Sequence, residues 1–304
     1  MQSKKIAIEP KSFLAYESAV AAGGATVAPL ADDVEALIWT DYHAPDQLAE
    51  LLSKNPQLSW VQLPFAGVDA FASVLQSKLL FTSAKGAYRE PVAEHALALS
   101  LALTRFIPER VLAKSWGRRQ AISLYDSNIV IVGAGGITQE LLGLFRPFRA
   151  EITVVRNLDE PLPGAFKTVT FEALKESVAE ADLVIIAAAL TEKTRGLFDL
   201  AMLSAMKPSS FLVNVARGPL VVTQDLIVAL NEGVIAGAAL DVTDPEPLPD
   251  GHALWHAKNI LITPHTADTK EMVVRLFSER IKSNVAAYLG EGDWVGVVDP
   301  NLGY

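Results

Sequence analysis

The stretch IVIVGAGGITQELL, residues 129–142, decides how this chain is read. IVIV has the composition of a strand covered on both faces, and GITQELL opens a helical pattern. Gly133, Gly135 and Gly136 stand at the junction. A glycine-rich turn there lets backbone N–H groups approach a pyrophosphate, and the helix N-terminus adds a partial positive charge that favours the anion. The stretch predicts a dinucleotide-binding strand, turn and helix, against the plainer reading of a tight turn. Thr138 stands where the pattern normally has its third glycine.

Downstream the alternation continues. ITVVR, LVIIAAA, FLVNV, VIAGAALDV and NILITP are strand candidates, and TQELLGLF, FEALKESVA, LAMLSAM and TQDLIVALN separate them as helices, with Thr223 the expected N-cap of the last. Upstream, IAIE, TVAPL, ALIWT, SWVQL and LLFTS alternate with ESAVAA, DQLAELLSK and AFASVLQS, a second βαβ series with a parallel sheet of its own. A long helix around 92–106 and the charged stretch PERVLAKSWGRRQ part the two series, and a final helix is expected from Thr269 to Leu289. Two domains fit a length of 304 residues.

Half of the residues are hydrophobic, a fifth are charged and the formal net charge is -9. That composition builds a compact core, and an acidic balance without a basic stripe argues against a nucleic-acid partner. The lack of cysteine excludes disulfides and thiolate chemistry and fits a reducing compartment, so the cytoplasm is expected. No metal-ligand cluster is evident. The N-terminal apolar run before Glu9 is too short for a signal peptide, and Ala96–Leu103 is too short to span a bilayer, so no membrane partner is expected.

The strand ITVVR ends in Arg156 and Asn157, where an acidic residue would normally take the adenosine ribose. A guanidinium there pairs with a 2′-phosphate, so NADP is favoured over NAD, although Asp159 and Glu160 keep a ribose contact open. Three more apolar strands each carry a polar residue to the edge where such sheets bind ligands: Arg217 after FLVNV, Asp241 after VIAGAAL, and His265 after NILITP. One such arginine alone reads as half of a structural ion pair; three such endings point to a site. Glu246 lies in TDPEPLPD. A carboxylate on one ring nitrogen of His265 would favour the imidazolium and leave the other nitrogen a usable acid; an exposed loop charge is the alternative.

In order, ALTEKTRGLF, MKPSSFLVNVARGPLV, DLIVALNEGVIAGAALDVTDPEPLP and LWHAKNILITPHTA resemble motifs of the D-isomer-specific 2-hydroxyacid dehydrogenases, the family of the glyoxylate/hydroxypyruvate reductases, and the resemblance spans nearly the whole chain. It implies an α/β fold of two doubly wound parallel-sheet domains: a flavodoxin-like substrate domain of residues 1–99 and 282–304, and a Rossmann nucleotide-binding domain of residues 100–281, with the catalytic cleft between them. By the resemblance Arg217 is the substrate arginine, His265 the acid/base and Glu246 its partner. Gly133, Gly135, Gly136, Ile137, Arg156, Asn157, Ala189, Val215, Ala216, Arg217 and Asp241 are placed at an NADP or NAD cofactor, with Asp241 at the nicotinamide carboxamide. The backbone N–H groups of Ala66, Gly67 and Val68 in PFAGVD are placed at the substrate carboxylate.

The implied activity is hydride transfer between NAD(P)H and a small 2-oxo acid to give the D-2-hydroxy acid, with glyoxylate or hydroxypyruvate favoured. Phe65, Tyr88, Trp255 and His256 are pocket candidates that core packing explains equally well, and His43, His95 and His252 receive no role. A homodimer joined through residues 92–118 is expected from the family. The rival from another class is an NAD(P)-sensing, corepressor-like binding protein on the same fold, disfavoured by the lack of a basic segment. A formate dehydrogenase is disfavoured because it needs no glutamate-supported proton donor.

Overall fold

In the computed structural model, residues 4–75 and 78–300 are described. The residues up to Tyr88 and from Thr269 onward form one compact unit, and Arg89–Asp268 forms the other. These borders lie ahead of the expected 99/100 and 281/282, because a helix cannot be divided between two cores. The helix beginning at Arg89 belongs wholly to the second unit and the final helix, Lys270–Tyr288, wholly to the first.

The first unit is built on parallel strands β1 (Lys5–Glu9), β2 (Thr26–Val27), β3 (Ala36–Trp39), β4 (Trp60–Gln62) and β5 (Leu80–Thr82), in the order β2-β1-β3-β4-β5. This is the flavodoxin-like order. Successive strand residues face opposite sides of the sheet, so each strand feeds two cores. Leu37, Trp39, Val61 and Phe81 join a cluster with Leu48 of α2 (Pro45–Lys54). On the other side Trp60 stacks on Tyr288 of the final helix at 5.3 Å, and Phe277 of that helix meets Tyr16 of α1 (Leu14–Ala22) edge-on.

The expected helix AFASVLQS is instead a single 3₁₀ turn, Asp69–Phe71, followed by turns to residue 75; Gln76 and Ser77 lie outside the described residues, as do 1–3 and 301–304. Its apolar side chains Phe71, Val74 and Leu75 are buried as the pattern required, but a tighter turn delivers them.

The second unit contains α3 (Arg89–Thr104), α4 (Ile107–Leu112), β6 (Asn128–Val132), α5 (Gly136–Phe145), β7 (Glu151–Val155), β8 (Lys167–Val169), α6 (Leu174–Glu180), β9 (Leu183–Ile186), α7 (Leu200–Leu203), β10 (Phe211–Asn214), α8 (Thr223–Glu232), β11 (Gly237–Leu240) and β12 (Ile260–Ile262). Its seven strands are all parallel, in the order β12-β11-β10-β9-β6-β7-β8. Ile129 and Ile131 pack with α3 and α5, while Val130 and Val132 pack with α6 and α8 on the opposite face. The strand order reverses between β6 and β9, which is where ligands approach such sheets.

Among the described residues, β8 and α4 had no counterpart in the sequence reading. β8 is a three-residue edge strand beginning with an exposed lysine, and α4 is one short, charged helix. Thr223 is also not an N-cap. It is the first residue of α8, its hydroxyl donates to the Asp244 carbonyl at 2.6 Å, and Val222 occupies the cap without a side-chain bond.

Candidate active site

The site begins where β10 ends. Asn214, with no exposed surface, turns the chain: its Oδ1 accepts from the Ala216 N–H at 3.0 Å and its Nδ2 donates to the Arg217 carbonyl at 2.9 Å. This local side-chain-to-backbone clamp fixes the path on which Arg217 emerges. Arg217 is half-buried and its Nη1 donates to the Ala216 carbonyl at 2.8 Å. Gly218 follows because nothing larger fits. A Cβ there would lie 1.9 Å from the Thr243 carbonyl oxygen, so the arginine turn rests directly on the turn that follows β11.

Asp241, next after β11, is 2% exposed. A buried carboxylate is costly unless donors surround it. Here Thr263 Oγ1 donates at 2.6 Å, Thr266 N–H at 2.9 Å and Ala267 N–H at 3.1 Å. His95 of α3 completes the set, its Nε2 lying 2.9 Å from Thr263 Oγ1 and 3.2 Å from Asp241 Oδ1. Since the one Thr263 hydroxyl proton is committed to Asp241, His95 is the donor in its contact with that hydroxyl. Burial pushes the Asp241 carboxyl up, but the His95 and Thr263 hydrogen bonds outweigh it, so the group ends below its ordinary value. The sequence reading placed Asp241 at a nicotinamide; with both oxygens engaged by residues 263–267 and His95, its carboxylate anchors the loop.

That loop carries His265. The residue sits at φ 51, a left-handed conformation uncommon outside glycine, and its N–H donates to the Asp241 carbonyl at 2.8 Å and the Thr263 carbonyl at 2.9 Å. Its Nδ1 lies 2.6 Å from Glu246 Oε1, while Glu246 Oε2 accepts from the Thr243 N–H at 3.3 Å. The Glu246 hydrogen bond raises the His265 pKa above its ordinary 6.5, against burial and the Arg217 charge. Burial pushes Glu246 up, but the His265 hydrogen bond and charge more than reverse it, leaving the carboxyl below its ordinary 4.5. Asp268 completes the cluster; burial raises it, while the His265 and Arg217 charges pull it back.

The glycine turn fits a pyrophosphate. Gly133 has φ 108, and a Cβ on it would lie 2.5 Å from the Ala187 carbonyl, so only glycine lets the ends of β6 and β9 come together. A Cβ at Gly135 would meet nothing within 4 Å, which leaves the approach to the α5 N-terminus clear. Thr138 is fully buried and its hydroxyl donates to the Gly133 carbonyl at 2.9 Å, closing the turn by a bond that the usual glycine cannot make. Ile137 is half-buried beside the turn, Ala189 is exposed after β9, and Val215 and Ala216 are buried at the end of β10. Arg156 and Asn157 follow β7, and the Arg156 side chain has no hydrogen-bond or ion-pair partner among the described residues.

Arg217, Asp241, Glu246 and His265 thus meet at one edge of the second sheet, as the strand endings implied. Asn214, Thr263, His95 and Asp268 were missed. A buried asparagine inside FLVNV and a threonine before Pro264 were the available signals; His95, on a helix 168 positions from Thr263, gave none. Of the pocket candidates, Tyr88 is core, 5% exposed with its hydroxyl donating to the Pro64 carbonyl. Trp255 is exposed and bonded to the Pro249 carbonyl.

Two outcomes are expected. Gly218→Ala should cost about 3 kcal/mol or more in urea unfolding, because the clash is with backbone that has no rotamer to change. A loss below about 1 kcal/mol would show that the two turns part easily. For the His265–Glu246 pair, the raised histidine contributes stability fully below 6.5 and loses it as pH climbs through its folded value. The depressed glutamate contributes above 4.5 and loses it as pH falls through its folded value. The stability gap between the parent and Glu246→Gln should therefore be widest between 4.5 and 6.5. It should stay modest, since the side chains are 45% and 40% exposed; a gap independent of pH contradicts the pairing.

A model of the family described as D-isomer specific 2-hydroxyacid dehydrogenase, NAD binding domain, matches residues 96–267. Over 255 residues the chain is 41% identical to an uncharacterized protein of Corynebacterium melassecola, covering 81% of this chain and 84% of that one. It is 30% identical to the glyoxylate reductase of Pyrococcus furiosus, covering 84% and 80%, and 30% identical to the formate dehydrogenase of Neurospora crassa, covering 86% and 76%. Among solved structures, a D-isomer specific 2-hydroxyacid dehydrogenase from Xanthobacter autotrophicus Py2 in complex with NADPH and MES shares the fold with a TM-score of 0.86 at 24% identity, covering 99% of this chain and 100% of that one. The chain belongs to the D-isomer specific 2-hydroxyacid dehydrogenase family.

Proposed function

We propose that this NAD(P)-dependent oxidoreductase reduces a small 2-oxo acid, glyoxylate or hydroxypyruvate by preference, to the D-2-hydroxy acid with NADPH. The observation that carries the reading is the 2.6 Å contact of His265 Nδ1 with Glu246, within the electrostatic reach of Arg217. Two of the relatives named above are a formate dehydrogenase and a glyoxylate reductase, which favours an enzyme over a cofactor-sensing corepressor. The glutamate-supported histidine favours a 2-oxo acid over formate, whose oxidation leaves no alkoxide to protonate.

Bound reduced nicotinamide supplies the hydride. The residues do the rest. Arg217 holds the substrate carboxylate and the carbonyl oxygen, which gains negative charge as hydride reaches the carbon. His265 keeps one proton on Nδ1 for Glu246 and gives the proton on Nε2 to that oxygen, so the alkoxide leaves as a hydroxyl. In the first unit the backbone N–H groups of Ala66, Gly67 and Val68 are the donors for a carboxylate; among the described residues none of the three N–H groups has a hydrogen-bond partner, and Ala66 is exposed while Val68 is buried. Gly133, Gly135 and Gly136 receive the pyrophosphate, with Ile137, Ala189, Val215 and Ala216 lining the cofactor. Arg156, with Asn157, receives the 2′-phosphate of NADP. Residues Arg89–Asp268 serve as the nucleotide-binding unit and the remainder as the substrate unit. A homodimer through the 92–118 region, in a cytoplasmic setting, completes the proposal; Val111, Leu112 and Trp116 there are at least 75% exposed.

His265→Ala should lower turnover by about 10²–10⁴-fold with the NADPH dissociation constant nearly unchanged, read by NADPH absorbance and by titration of bound nucleotide. An unchanged rate removes the histidine from the chemistry. Arg156→Asp should move the NADPH-to-NADH preference toward NADH by about tenfold or more; equal use of both by the parent would defeat the 2′-phosphate assignment.

A further inference from the structure

The first unit contains a buried cation that the reaction above does not use. Arg280 of the final helix is 9% exposed. Its guanidinium donates to the carbonyls of Ser83 at 2.8 Å, Lys85 at 2.8 Å and Val295 at 3.4 Å, and no carboxylate pairs with it among the described residues. A buried charge left with carbonyl dipoles alone keeps much of its desolvation penalty. Burial lowers its pKa, with only Tyr88 acting the other way.

The path of hydrogen bonds leading away from it gives the cation a use. The peptide unit whose oxygen accepts from Arg280 is Ser83–Ala84, and its N–H donates to the Phe65 carbonyl at 3.0 Å. In a trans peptide the C=O and N–H point in opposite directions, so the Phe65–Ala66 unit turns its own N–H the other way. That N–H belongs to Ala66, exposed and without a partner among the described residues. Chains of hydrogen-bonded peptides polarise one another, most of all when a charge heads the chain. Beside this chain, the buried Tyr88 hydroxyl donates to the Pro64 carbonyl at 2.7 Å and fixes the preceding peptide.

We propose that Arg280 and Tyr88 are positioning residues for the 64–68 loop: two peptide units carry the field of the Arg280 charge to the Ala66 N–H, and Tyr88 holds that loop at Pro64, so that its donors face an anionic carboxylate. This rests on the reading that the loop holds the substrate carboxylate. An anion at Ala66 then completes a row that runs from cation through aligned dipoles to negative charge, which the buried guanidinium otherwise lacks.

The test compares Tyr88→Phe, Arg280→Lys and Arg280→Met with the parent in saturating NADPH. Amide hydrogen exchange of the 63–70 segment reads the position of the loop, and steady-state kinetics with glyoxylate and hydroxypyruvate reads its use. Tyr88→Phe, which removes one oxygen and keeps the ring packed, should speed exchange in that segment and raise KM for the 2-oxo acid about fivefold, leaving KM for NADPH within about twofold. Arg280→Met should act more strongly, about tenfold or more, with Arg280→Lys between it and the parent because it keeps the charge. Unchanged exchange in Tyr88→Phe overturns the positioning proposal whatever becomes of Arg280→Met. Faster exchange with unchanged KM instead sinks the reading that this loop holds the carboxylate.

Discussion

The second unit is organised around one buried carboxylate. Asp241 lies almost out of reach of water, and apart from the His95 ring every donor it finds comes from residues 263–267. Because the two backbone donors lie just beyond His265, satisfying the carboxylate draws the chain past that residue and holds it in a left-handed conformation. Such a backbone costs of order 1–3 kcal/mol and persists only where its surroundings over-determine it. Here the His265 N–H is bonded on one side of the turn and the next two N–H groups on the other. The imidazole is therefore aimed by backbone geometry, and Glu246 has only to meet it.

Parallel register supplies the remaining alignment. Asn214 lies opposite Leu240, and Leu240 opposite Ile262, so the residues leaving β10, β11 and β12 start level with one another. Gly218 then allows the first of these turns to settle onto the second at van der Waals distance. Arginine, aspartate and histidine come from distant parts of the chain, yet none needs a long loop to reach the others.

The strands were legible because burial on both faces leaves little choice but uninterrupted apolar runs, and Arg217, Asp241 and His265 were legible because each follows such a run at its carboxyl end. What stayed hidden depends on partners remote in sequence. Nothing in VAEHALALS distinguishes a histidine that will meet Thr263 from one that faces solvent. Thr138 read as a departure from the nucleotide pattern, since a pattern records the size of a residue and not the hydrogen bond its hydroxyl makes to Gly133. AFASVLQS read as a helix because three buried side chains at helical spacing look alike whether an α-helix or a tighter turn presents them. The expected borders fell inside two helices; which core a helix joins is settled by packing against α1 or α5, and that is not local information.

Asp241 and Arg280 are opposites, a buried anion in one unit and a buried cation in the other. Each is a buried charge: the carboxylate is held by two backbone N–H groups, the Thr263 hydroxyl and the His95 ring, the guanidinium by backbone carbonyls alone. Backbone partners do not titrate, and an arginine does not lose its proton in a protein. Asp241 is held below its ordinary value, so it too stays charged near neutrality. Glu246, also depressed, remains the acceptor for His265 Nδ1. Of the groups gathered at the end of this sheet, His265 and Asp268 are held above their ordinary values, the imidazole by the Glu246 hydrogen bond and Asp268 by burial. The negative charges of Glu246 and Asp241 set the field in which the imidazole holds its proton.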